Sequence, residues 1–76
     1  MDINKLVRMA NQIAENFAYG PDKEKAAGDT IDHLRRFWTP EMRALIVQYA
    51  RQDDSDLSEV AALAVAKLAE ESNDAA

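Results

Sequence analysis

Apolar residues recur three and four positions apart along most of the chain, and two proline-containing breaks interrupt this pattern. Such spacing places the side chains on one stripe of an α-helix, whereas a half-buried strand would show strict alternation. The first stripe predicts a helix from about Ile3 to Ala18. Gly20 followed by Pro21 ends it, because glycine can adopt the left-handed cap conformation and proline cannot continue the helical hydrogen bonds. The stripe consists of Leu6, Met9, Ala10, Ile13 and Phe17.

Three further helices are predicted after the first break. A second helix spans about residues 22–37, and Thr39-Pro40 opens a third, since threonine can cap a helix and proline suits its first position. The polar run 51–55 ends that helix. Asp56 with Glu59 three residues later resembles a capping box, which predicts the start of an alanine-rich fourth helix there.

The predicted fold class is all-α, a small bundle of three to four short helices. A chain of 76 residues forms one domain at most. We expect a single helical domain over residues 1–70 and a disordered C-terminal tail at residues 71–76. Gly28 indicates either close approach of another backbone or a tolerated exposed glycine. Leu63 and Val65 add more apolar surface to the fourth helix than its neighbours would cover.

Composition and charge exclude several classes of function. There is no cysteine, which removes disulfides, zinc–thiolate sites and iron–sulfur ligation. The net charge is −5 and the positive residues are scattered, so nucleic acid is not an expected partner. Charged residues interrupt every apolar run near the N-terminus, so neither a signal peptide nor a membrane span is predicted. The expected location is cytoplasmic.

Few residues in the sequence are candidates for a catalytic role. His33 is the only histidine, and Asp29 stands one helical turn before it, which would allow an acid–base pair. Ordinary ion pairing on a surface helix is the alternative. A di-metal carboxylate site needs two histidines, and no phosphate-binding or nucleophile motif occurs. We therefore predict no catalytic residue, no metal ligand and no cofactor-binding residue in this chain.

The segment 35–43 lies at the corner between the second and third helices and has the composition of a protein-binding surface. Aromatic residues, methionine and arginine are the types enriched at such interfaces. Core packing of the aromatic residues, with solvated arginines, is the alternative. A polar patch of Arg8, Asn11 and Gln12 on the first helix adds to the surface, because its amides could satisfy the backbone of a docked chain. Ordinary solvation of this patch is the alternative. The predicted partner-binding residues are Arg8, Met9, Asn11, Gln12, His33, Arg36, Phe37, Trp38, Pro40, Met42 and Arg43.

Two blocks of this sequence, LVRMANQIAENFA and AAGDTIDHLRRFWTPEMR with a Gly-Pro break between them, carry a family resemblance. In this order the blocks resemble the small delta subunit of NAD-dependent, molybdenum-containing formate dehydrogenase, from about Leu6 to Leu68. The resemblance implies a cytoplasmic complex that oxidises formate. It also implies that the molybdopterin cofactor, the iron–sulfur clusters and FMN lie in the larger alpha, beta and gamma subunits. The residues of this sequence that match the family's motifs are Met9, Ala10, Asn11, Gln12 and Ile13 in the first block, and His33, Leu34, Phe37, Trp38, Pro40, Met42 and Arg43 in the second.

Three functions are compatible with these observations. The first is a non-catalytic subunit that docks on the alpha subunit and assembles or stabilises the complex. The second is a maturation chaperone that holds the alpha subunit until its molybdenum cofactor arrives and then leaves. The third is a free-standing helical homodimer that uses the surplus apolar face of the fourth helix.

Overall fold

Four helices make up the part of the chain that the computed structural model describes, namely residues 2–18, 20–52 and 55–74. Their bounds are Ile3–Phe17 (α1), Lys23–Phe37 (α2), Pro40–Ala50 (α3) and Glu59–Asp74 (α4). The described residues contain no strand, and the predicted all-α bundle of short helices is confirmed. None of these helices has both the length and the apolar character needed to cross a bilayer.

The first three helices begin at side-chain caps. Oδ1 of Asp2 accepts a hydrogen bond from the backbone N–H of Asn4 at 3.0 Å, and Asp22 does the same for Lys25 at 3.0 Å. The Thr39 hydroxyl oxygen accepts from the backbone N–H three residues later at 3.2 Å, with proline at the first helical position. These caps satisfy N–H groups that have no partner inside a helix. The breaks predicted at Gly20-Pro21 and Thr39-Pro40 therefore coincide with helix boundaries.

Helix α4 starts later than predicted. Its cap is Ser58, whose hydroxyl oxygen accepts from the backbone N–H of Ala61 at 3.3 Å. The predicted capping role of Asp56 is wrong, because the backbone groups of Asp56 bond to side chains on other helices. Of the predicted tail, residues 71–74 belong to α4, and residues 75–76 lie outside the described residues.

The core contains many small residues, which lets the helices approach closely. Ala14, Ala27, Ala61 and Ala64 are each 0% exposed and come from α1, α2 and α4. The buried hydroxyl of Thr30 donates to the Ala26 carbonyl at 2.8 Å, so the polar atom in this core has a partner. Larger side chains from all four helices fill the remaining space: Leu6, Val7, Ile31, Leu34, Ile46, Val47, Val60, Val65 and Leu68, together with Trp38.

The two glycines have different structural roles. Gly20 follows α1 with a φ of 100°, the left-handed region where a side chain would be strained. Gly28 lies in the middle of α2, and a Cβ built on it meets no atom within 4 Å. The described part of the chain therefore makes no close backbone approach at Gly28. Gly28 is exposed, which agrees with the second alternative given from the sequence, a tolerated exposed glycine.

Candidate docking surface

The two sequence blocks meet in one open groove of about 460 Å³. Helix α1 supplies one wall of this groove, and the corner between α2 and α3 supplies the other. The corner is sharp because α2 ends at Phe37 and α3 begins at Pro40. The lining residues are Met9, Gln12, Ile13, Asn16, His33, Phe37, Trp38 and Met42. We call this site the Phe37 groove.

Phe37 is the large apolar side chain that the described residues expose most, with 70% of its surface accessible. It lies on the last turn of α2, next to the α2–α3 corner. An exposed phenyl group forgoes about 1.5–3 kcal/mol of burial free energy. A surface that keeps such a group in water gains that free energy when another chain covers it.

His33 forms part of the groove wall between two aromatic rings. Its ring centroid lies 4.6 Å from that of Phe37 and 6.2 Å from that of Phe17. Among the described residues no hydrogen bond or salt bridge joins Asp29 to His33. The same residues contain no cluster of three or more histidine or acidic side chains that could hold a metal ion. The imidazole is thus placed to pack against aromatic rings.

Trp38, at the end of the second block, is directed mainly into the core. It is 5% exposed, so only an edge of its ring reaches the floor of the Phe37 groove. The neighbouring residues Phe37 and Trp38 therefore serve opposite purposes. One contributes exposed apolar surface and the other holds the corner that presents it.

Asn11 clamps the segment that connects α3 to α4. Its Nδ2 donates to the Asp56 carbonyl at 3.0 Å, and its Oδ1 accepts from the Ser58 N–H at 2.7 Å. The Tyr49 hydroxyl oxygen accepts from the Asp56 N–H at 3.0 Å, which fastens the same segment from α3. The Asn11 amide therefore satisfies backbone groups of its own chain, on the segment between α3 and α4.

The arginines differ in how they are engaged. Arg36 pairs with Asp32 one turn earlier at 3.4 Å, and Arg35 pairs with Glu71 of α4. Arg8 is exposed and Arg43 is half-buried, and neither makes a salt bridge within the described part of the chain. Pro40 is exposed at the start of α3.

Asn16 is a groove residue that the sequence alone did not single out. It lies four residues after Gln12 on α1, and both side chains are exposed. Residues four apart share one face of a helix, so this spacing is the signal that could have identified it. The groove thus contains Gln12 of the predicted polar patch together with Asn16, whereas Asn11 of that patch is turned toward the connecting segment.

Comparison with known families gives a match over most of the chain. A family model described as NADH-dependant formate dehydrogenase delta subunit FdsD matches residues 5–65, which is 61 of the 76 residues. The matched range covers α1 from its third residue, all of α2 and α3, and the first seven residues of α4. No curated protein and no solved structure shows significant similarity to the chain.

Proposed function

The chain belongs to the family of NADH-dependent formate dehydrogenase delta subunits, and we propose that it is a non-catalytic subunit that docks through the Phe37 groove. The partner is the larger, catalytic alpha subunit, within a complex that also contains beta and gamma subunits. Its contribution is to assemble or stabilise that complex. The proposed location is cytoplasmic.

The exposure of Phe37 is the observation that carries this proposal. A chain this small buries about 60% of the surface of its unfolded form, so it gains stability from a partner. Exposed aromatic residues that are surrounded by further apolar groups are typical centres of binding energy. Met9, Ile13 and Met42 provide that surrounding surface from two other helices.

The cofactors of the complex are assigned to the larger subunits. The chain has no cysteine and a single histidine, so it lacks the thiolates that iron–sulfur clusters require. The family resemblance, and not composition, leads us to propose that the molybdopterin cofactor and FMN, together with the clusters, lie in the larger subunits. The delta subunit then influences formate oxidation only through the stability or assembly of its partners.

Co-expression tests the proposal directly. Tagged chain is produced with the alpha, beta and gamma subunits, once as wild type and once as Phe37→Ala. The variant should fold normally, because most of the ring is in water, but should no longer comigrate with the larger subunits. Gln48→Ala, an exposed change on α3 that does not line the groove, is the control and should comigrate fully. Comigration of Phe37→Ala at the wild-type level would refute the proposal.

The other two functions give different results in the same preparation. A maturation chaperone would bind the immature alpha subunit but be missing from the purified active enzyme. A homodimer would appear as concentration-dependent sedimentation of the isolated chain. The surplus face of α4 that motivated the homodimer is largely covered, since Val65 is 1% exposed and Leu63 is half-buried against the core.

A further inference from the structure

Helix α1 carries two parallel rows of side chains, and two members of each row line the Phe37 groove. The outer row is polar and exposed and consists of Arg8, Gln12 and Asn16. The inner row is apolar and half-buried and consists of Met9, Ile13 and Phe17. Successive members of each row are four residues apart, which is about 6 Å along the helix axis.

This repeat is close to that of an extended polypeptide. Side chains on one side of a strand recur every second residue, at about 6.6 Å. An extended segment laid along α1 can therefore direct alternate side chains toward the inner row. The backbone groups of the same segment then face the outer row at nearly matching intervals.

The amides of the outer row suit an extended backbone better than a helix. Each amide can both donate and accept a hydrogen bond. The backbone groups of a docked helix are already bonded within that helix, whereas those of an extended segment need partners. Within the described residues, neither the Gln12 side chain nor the Asn16 side chain makes a hydrogen bond.

Asn11 shows that an amide on α1 can hold a non-helical backbone in this way. It bonds the carbonyl of Asp56 and the N–H of Ser58, two residues apart on the segment between α3 and α4. The two-residue step is the repeat expected of an extended chain. The contact lies on the flank of α1 next to the groove-facing amides.

The one charged side chain in the two rows of α1 is that of Arg8. The chain carries a net charge of −5, yet no carboxylate lines the Phe37 groove. Arg8 stands at one end of the outer row without a salt bridge in the described part of the chain. Three acidic residues instead line the depression that Asn11 borders, namely Glu15, Asp56 and Glu59. Arg8, one turn before Gln12 on the same face, is therefore available to pair with a carboxylate of a docked segment.

We propose that the Phe37 groove binds an extended acidic segment of the catalytic subunit, with apolar side chains at alternate positions and a carboxylate that pairs with Arg8. This inference rests on the proposed function, since it names the part of the partner that docks. Phe37, Met9 and Ile13 receive the apolar side chains. Gln12 and Asn16 bond the backbone.

Short overlapping peptides that cover the alpha subunit are the probe. Each is titrated with the full-length chain and followed by fluorescence anisotropy. A peptide that binds should carry apolar residues at alternate positions next to an acidic residue. Methylation of its backbone nitrogens, one at a time, should weaken binding at every second residue and leave the intervening residues unaffected.

Variants of the chain test the same contacts by their effect on peptide affinity. Gln12→Ala should weaken the peptide about three- to tenfold, which is the loss expected for one net hydrogen bond. Gln48→Ala removes an amide that is exposed elsewhere and should leave the affinity unchanged. Arg8→Gln should weaken binding and reduce its dependence on salt, because exposed ion pairs are screened.

Several results would overturn the inference. Sensitive peptide positions spaced three and four apart would identify a helix as the occupant. Self-association of the chain that Phe37→Ala abolishes would identify a second copy. Failure of every peptide, with a complex that forms and still depends on Phe37, would identify a folded epitope and leave the proposed function intact. A complex that forms without Phe37, by contrast, would refute the proposed function itself.

Discussion

Replacing Asn11 with alanine should destabilise the fold at a distance from the changed residue. The substitution removes the hydrogen bonds to the Asp56 carbonyl and the Ser58 N–H. Each bond contributes about 0.5–1.5 kcal/mol net of hydration. Both backbone partners belong to exposed residues, so water can replace the lost amide and the lower part of that range applies. We expect a loss of about 1–2 kcal/mol.

That loss is measurable in a chain of this size. A total stability of about 4–11 kcal/mol follows from the usual range per residue. Urea titration followed by circular dichroism should therefore show a lower midpoint for Asn11→Ala with an unchanged slope. Exchange of the Ser58 amide proton should become faster, because its acceptor is gone. This second readout locates the effect at the connecting segment.

Gln12→Ala is the matched control, since it removes an amide from the next position of the same helix. The Gln12 side chain is exposed and makes no hydrogen bond within the described residues, so its removal should change stability by less than about 0.5 kcal/mol. Equal stabilities for Asn11→Ala and Gln12→Ala would refute the assignment of Asn11 as a clamp. Unchanged exchange at Ser58 would refute it independently.

Three further changes test the fold, each by the same urea titration. Trp38→Ala should cost about 3–5 kcal/mol because the ring is 5% exposed, and a loss below about 1 kcal/mol would contradict its place in the core. Gly28→Ala should stabilise the chain by about 0.5–1 kcal/mol, since the added Cβ meets no atom within 4 Å; destabilisation would show that the site is crowded. Thr39→Ala should lower the stability by about 1 kcal/mol through loss of the α3 cap. Thr39→Ser should keep most of the wild-type stability, because serine can also cap the helix.

Local chemistry made the helices predictable from the sequence. The three-and-four spacing, the Gly20-Pro21 break and the Thr39-Pro40 start depend only on nearby residues, and each was found within one or two residues of its predicted place. The start of α4 was predicted too early because a contact from another helix decides it. Asn11 and Tyr49 hold the backbone of Asp56, so the helix begins only after Ser58.

The sequence by itself determined that two blocks matter and that their residues are of the types found at protein interfaces. Only the tertiary structure decided which of them are exposed at the Phe37 groove and which are buried or bonded within the chain. Phe37 and Trp38 are adjacent and similar in the sequence, but the turn between α2 and α3 exposes one and buries the other. Asn11 and Gln12 are likewise adjacent, and the packing of α1 turns one inward to the chain's own backbone and leaves the other at the groove. The physical reason is that helix periodicity sets which residues share a face, whereas the angle at which helices pack sets what that face meets.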